Sequence, residues 1–158
     1  EKNMSRSEIR ALGSLIIATW ALWFLQMRFL DGWQVADLTA GHMLTTYVIV
    51  IIGMIVGEII VTAGSTIGET MLNGAAAASV EDERDQMIAR RAELISHWFL
   101  IAVVNVLVLQ LILQDAYPSL LFTPLAIIST SGVIFTLLAL LFAAHIVKMI
   151  ATLVLYRL

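Results

Sequence analysis

A chain of 158 residues that is 60% hydrophobic and only 13% charged has too little polar surface to fold as a soluble globule. Its mean hydropathy of +0.93 places it among the polytopic membrane proteins. A net charge of −3 without a basic face excludes a nucleic-acid-binding domain, and the lack of cysteine excludes disulfides, iron–sulfur ligation and thiol chemistry.

In chain order, residues 1–8 form a polar lead-in at the interface, and residues 9–30 form a first span long enough for a hydrocarbon core of ~30 Å. A short polar loop over 31–41 carries Trp33 as an interface anchor. A second helix covers 42–72, and Asn73 with Gly74 ends it as a C-cap. A third helix covers 79–114, starting in water and entering lipid near Leu94. A second outer loop follows, with Asp115, Tyr117 and Pro118. The fourth helix covers 124–156, with Pro124 suited to its first turn. The fold expected is all-α: one domain over 1–158, a bundle of four transmembrane helices with short loops. The apolar runs are continuous rather than alternating, which excludes the strands of a membrane barrel.

Orientation follows from the basic residues. Lys2, Arg6, Arg10, Arg84, Arg90, Arg91, Lys148 and Arg157 fall on one side, and Arg28 stands alone near the other. That bias puts both termini and the central loop in the cytoplasm. Each half of the chain is a helix pair, and Glu58-Ile-Ile-Val in the second span matches His145-Ile-Val-Lys in the fourth in position. This predicts two parallel copies related by an axis along the membrane normal.

The long charged run lies at 79–98, between the two apolar halves. Ser79 with Asp82 fits the S/T-x-x-D/E capping signature, and Glu81, Asp82, Glu83 and Asp85 oppose the positive end of the helix dipole. The run reads either as a solvated, well-capped helix start or as an acidic docking site for a protein partner or a cation. Asp82, Glu83, Arg84, Asp85, Ile88, Arg91 and Ala92, in the pattern D-E-R-D-x-x-I-x-x-R/K-A, resemble a group of small bacterial four-helix inner-membrane proteins. The ending HIVKMIATLVLYRL is similar to that group's ending, an apolar tail closed by Tyr and Arg. The resemblance implies a four-helix fold and an inner-membrane location, and no activity.

Within the spans, Gly53, Gly57, Gly64 and Gly68 fall on one stripe at ~100° per residue, which lets another helix approach closely. The stripe serves either packing within the chain or a homodimer seam. Glu58, His97 and His145 are the titratable residues inside the spans, all in the cytoplasmic third, with Asn105 about two turns beyond His97. Intramembrane ionisable groups face the bundle or a wet cavity. Glu58, His97, His145 and Asn105 therefore form either a structural polar network or a proton- or cation-handling site. Two histidines at similar depth on different helices also suit axial ligation of haem b. Ser131, Leu138, His145 and Thr152 recur every seven residues on one stripe. No H-E-x-x-H, G-x-x-x-x-G-K or G-x-S-x-G motif is present, so no enzyme activity and no metal centre is expected. The function expected is a non-enzymatic accessory or regulatory protein, integral to the lipid bilayer, that acts by binding a partner, with the cytoplasmic central helix as the place for a protein partner. The alternatives are an oligomeric proton- or cation-linked transporter or channel using Glu58 and the histidines, and a haem-binding electron carrier.

Overall fold

The structure, a computed structural model, describes residues 6–32, 34–73, 83–116 and 129–158. Four helices account for nearly all of them: α1 (Arg6–Phe29), α2 (Ala40–Asn73), α3 (Glu83–Ala116) and α4 (Thr130–Arg157). Each contains a segment long and apolar enough to cross a membrane. The expectation of an all-α membrane bundle of four helices is met. Trp33, Gly74, Ser79, Glu81, Asp82, Tyr117, Pro118 and Pro124 lie outside the described residues.

The four helices pack in the order α2–α1–α4–α3. The reason is visible in α1. Ala11, Ser14, Ala18, Ala21, Leu25 and Phe29 are all buried and recur at steps of three or four, one face of a helix. Small side chains over the first half of that stripe let neighbouring backbones approach. In α4, Ser131, Phe135, Leu138 and Phe142 make one buried line, and Gly132, Thr136 and Ala144 make a second, so α4 is covered from two sides. In α3, by contrast, Ile88 and Ala92 alone are fully buried among the described residues. The outer faces of α2 and α3 carry apolar side chains such as Ile52, Ile59, Trp98 and Val106, as a lipid-facing surface requires. This order contradicts the expected pair of parallel repeats. An axis relating α1 to α3 and α2 to α4 would demand that α2 pack on α3 as α1 packs on α4, and among the described residues α2 and α3 make no extensive contact.

The glycine stripe of α2 is used within the chain, but only in part. A side chain on Gly53 would lie 2.8 Å from the Trp20 ring, and one on Gly57 would lie 2.9 Å from Ile17. Gly13 on α1 answers them, facing Val61 of α2 at 2.7 Å. Thus α1 and α2 interlock in antiparallel register, a glycine against a large side chain at each level. Gly64 has open space around it and takes no part, and Gly68 lies further along α2. For Gly53 and Gly57 the homodimer seam gives way to packing on α1.

Two short departures from the expected boundaries matter. Leu30–Asp31 (β1) and Gln34–Val35 (β2) pair antiparallel, turning at Gly32 with φ +64, a conformation that favours glycine. Gly32 is the first of the two residues between the paired strands, a position that takes glycine in two-residue hairpin loops, and the sequence reading placed only a polar loop there. The fourth helix begins at Thr130 rather than at residue 124. Ser129 has extended backbone, and its side chain accepts from the Gly132 N–H, the hydrogen bond of an N-cap. At the hairpin end, Ala21, Leu25, Phe29, Val50, Phe135, Leu138 and Phe142 form the apolar core. The Phe29 and Phe135 rings lie 5.9 Å apart.

Gly57→Leu should lower the melting temperature of the detergent-solubilised protein, at a cost of about 1–3 kcal/mol, because overpacking forces α1 and α2 apart. Gly64→Leu, on the same helix but facing open space, should leave it unchanged. Equal effects would show that the α1–α2 register is not the one described.

Candidate functional site

Three helices meet at one polar point inside the bundle. Ser14 lies in the buried stripe of α1 and is 4% exposed. Its Oγ donates to Oε2 of Glu58 on α2 at 2.9 Å. The other carboxylate oxygen, Oε1, faces Nε2 of His145 on α4 at 3.7 Å. That separation is within ion-pair range but too long for a hydrogen bond. Both facing atoms are enclosed and have no hydrogen-bond partner. At ~1.5 Å per residue, Ser14 is about 12 Å from the start of α1 and His145 about 18 Å from the end of α4. Helix register explains the meeting. Glu58 follows Gly57, so it is turned about 100° from the face that Gly57 lays on Ile17. It reaches past α1 toward α4 while still within range of Ser14.

Of the four residues expected to cluster, the structure brings two together. His97 and Asn105 are corrections. Both are exposed on α3, and Asn105 donates its amide to the Ile101 carbonyl of its own helix at 2.8 Å. The residue of α3 that does face α4 is Ser96, whose Oγ donates to the Ala144 carbonyl at 2.7 Å. Its neighbour His97 is rotated about 100° away. Axial ligation of haem by His97 and His145 does not fit this arrangement. Nε2 of His145 is enclosed against Glu58 Oε1, which leaves no position for an iron, and His97 is on an exposed face. Among the described residues no group of three or more His, Asp and Glu side chains is arranged to hold a metal ion.

A line of polar residues runs from this site to the end of α4. His145, Lys148, Thr152 and Tyr156 are all half-buried and recur at steps of three or four. Lys148 Nζ pairs with Glu93 Oε1 of α3 at 3.4 Å. Thr152 donates to the Lys148 carbonyl at 2.9 Å. Tyr156 donates its hydroxyl to Asp85 Oδ1 at 2.8 Å, and Ser7 donates to Asp85 Oδ2 at 3.3 Å. Asp85 therefore ties the starts of α1 and α3 to the end of α4. This also gathers Arg10, Arg84, Arg90, Arg91 and Arg157 toward one end of the bundle, called here the charged end. The acidic start of α3 was read as a solvated cap or a docking site. Asp85 is instead consumed inside the protein, and Glu83 is exposed.

Sequence reasoning missed Ser14, Ser7 and Tyr156. For Ser14 a signal existed: it is the polar member of the stripe Ala11, Ser14, Ala18, Ala21, Leu25. For Ser7 and Tyr156 none did, because a hydroxyl near a helix end is ordinarily solvated.

Ser14→Ala should destabilise the protein by about 0.5–1.5 kcal/mol, the usual worth of one hydrogen bond. In the Glu58→Gln background the same change should cost a different amount, because contacting residues are not additive. Equal costs in both backgrounds would mean that Ser14 and Glu58 do not interact. Tyr156→Phe should speed amide exchange in the first turns of α3 and leave α1 near Ser14 protected. Unchanged exchange there would remove the Asp85 tie.

Comparison with known protein families, with curated proteins and with solved structures returns no match.

Proposed function

We propose that this chain is a non-enzymatic regulatory protein of the bacterial inner membrane whose working part is a proton-binding site formed by Ser14, Glu58 and His145. One observation carries the reading: a carboxylate oxygen and an imidazole nitrogen face each other at 3.7 Å where three apolar helices meet, both atoms enclosed and without a hydrogen bond, on side chains that are each 32% exposed. In hydrocarbon such a carboxylate must be neutral, paired or wet. Gain or loss of one proton changes the charge of the pair, and hence the attraction between α2 and α4. Ser14 keeps one carboxylate oxygen on α1 whichever state holds. A proton-linked transporter would use the same site, and differs in that protons must cross. Docking of a partner at the acidic start of α3 has less support, since both oxygens of Asp85 are already held.

The orientation that goes with this reading has the charged end in the cytoplasm, by the excess of Lys and Arg there. Reporter fusions after Gly41 and after Ala78 are expected in opposite compartments, the second cytoplasmic. The site itself is tested by infrared titration of the purified protein. A carboxylic C=O band should appear and vanish with pH, and Glu58→Gln should remove it. A band absent at every pH, or one that persists in Glu58→Gln, would end the proton-binding reading.

A further inference from the structure

We infer that the Glu58–His145 site exchanges protons with one side of the membrane alone, the charged end, so that the protein responds to pH at that face without carrying protons across. This rests on the proton-binding reading above and adds the direction of access.

The two directions away from the site differ in kind. Toward the hairpin end about 22 Å of helix separates Ser14 and His145 from the ends of α1 and α4. Over that distance runs a contiguous core in which Ala21, Leu25, Phe29 and Val50 are fully buried and Phe142 nearly so, and the cavity of about 510 Å³ between α2 and α4 at the hairpin end has an apolar lining that includes Met43, Leu44, Ile134 and Leu137. Of the hydroxyls buried there, Thr46 and Thr136 return to carbonyls of their own helices, His42 and Gly132, and Ser131 meets the hydroxyl of the cap residue Ser129. None bridges toward Glu58. Residues 11–27 of α1, 43–57 of α2 and 131–144 of α4 contain no charged or titratable group apart from Tyr47, whose side chain is at the hairpin end of α2 and exposed. A proton has no stepping stone in that direction.

Toward the charged end the situation reverses. One turn beyond His145 is Lys148, whose side chain is 34% exposed, paired with Glu93, whose side chain is 73% exposed. Lys148 is a charged group on a flexible stem that reaches outward while its chain covers apolar surface. Thr152, Tyr156, Asp85, Ser7 and Glu8 continue the polar line to the helix ends. The charged and titratable groups facing the site are thus Glu58 from α2, Lys148 from α4 and, through Lys148, Glu93 from α3. From α1 the site receives the Ser14 hydroxyl. A proton taken up comes from bulk water at this end and rests on Glu58 Oε1 or His145 Nε2, and no other bond changes. The donor set also selects the ion. Calcium takes about six to eight oxygen ligands, and one carboxylate, one hydroxyl and one imidazole supply few of them.

The test uses the full chain reconstituted in one orientation in lipid vesicles, with inside and outside buffered separately. The Glu58 carboxyl band, identified as the one lost in Glu58→Gln, is followed after a pH step on one side. A step at the charged end is expected to change the band, and the same step at the hairpin end to leave it constant, with no proton flux through the vesicle wall. A response to the hairpin-end step, or a Glu58-dependent flux, would overturn one-sided access while leaving proton binding intact. A band that responds to neither step, with both faces equilibrated, would overturn the proton-binding reading as well. Replacing both Lys148 and Glu93 by Leu should close the apolar mouth and slow the response by about 100-fold, the low end of what a positioned proton-transfer group contributes. An unchanged rate in the double Leu variant would overturn the route through Lys148 and Glu93.

Discussion

A carboxylate inside an apolar bundle has to be matched from within the protein, because lipid offers it nothing. Glu58 is matched by Ser14 and His145, each from a different helix. That requirement sets much of the arrangement. α1 must pass close enough to α2 for a serine to reach the carboxylate. α4 must pack on α1 deeply enough for an imidazole to arrive from the other side. The interlocked glycines supply the first condition: Gly13, Gly53 and Gly57 bring the α1 and α2 backbones together just where Ser14 and Glu58 stand. The small residues Ala11, Ala18 and Ala21 supply the second. Close approach and polar matching are thus one feature seen from two sides, since a bulky residue on either stripe would pull the hydroxyl out of range.

The outer helices follow from the same geometry. With α1 and α4 sharing the centre, α2 and α3 each have one packed face and one broad apolar face. Packing cannot reward the outer face, so nothing distinguishes its residues in composition from those of the inner face. Hence α2 and α3 read as apolar all round, whereas α1 announces its inner face through small residues and a serine.

The four spans were legible because their length and hydropathy answer to the bilayer itself and need no partner to be recognised. The end of α1 and the start of α4 were less so. Pro124 is a good first-turn residue, but Ser129 takes the cap by supplying the hydrogen bond that Gly132 requires. For the site, the rarity of charge in a span singled out Glu58 and His145, and depth from the helix end put them level. Depth does not give azimuth, however. His97 has the right depth and points outward, because Ser96 takes the face toward α4. The pairing of α2 with α4 through Glu58 and His145 was masked by the apparent repeat. Corresponding positions in the two halves do meet, but through an order α2–α1–α4–α3 that no two-fold repeat produces. The glycine stripe was legible as a close-packing surface. Its partner was not, because the complementary Gly13 is a single small residue in a span containing several.

The central position of α1 has a consequence for how the protein is made. Of the four helices α4 leaves the ribosome last, so the two helices that share the core are made first and last among the four. Until α4 arrives, α1 and α2 form a hairpin in which Glu58 has Ser14 but no imidazole, and one face of α1 meets lipid or whatever escorts a nascent membrane helix. An ionised carboxylate without a partner is costly in hydrocarbon. Docking of α4 brings His145 beside it and completes the site at the moment the bundle closes. The contacts of α4 with α1 and α3 are therefore the last to form. The helix that closes the bundle also brings the imidazole of the ionisable pair.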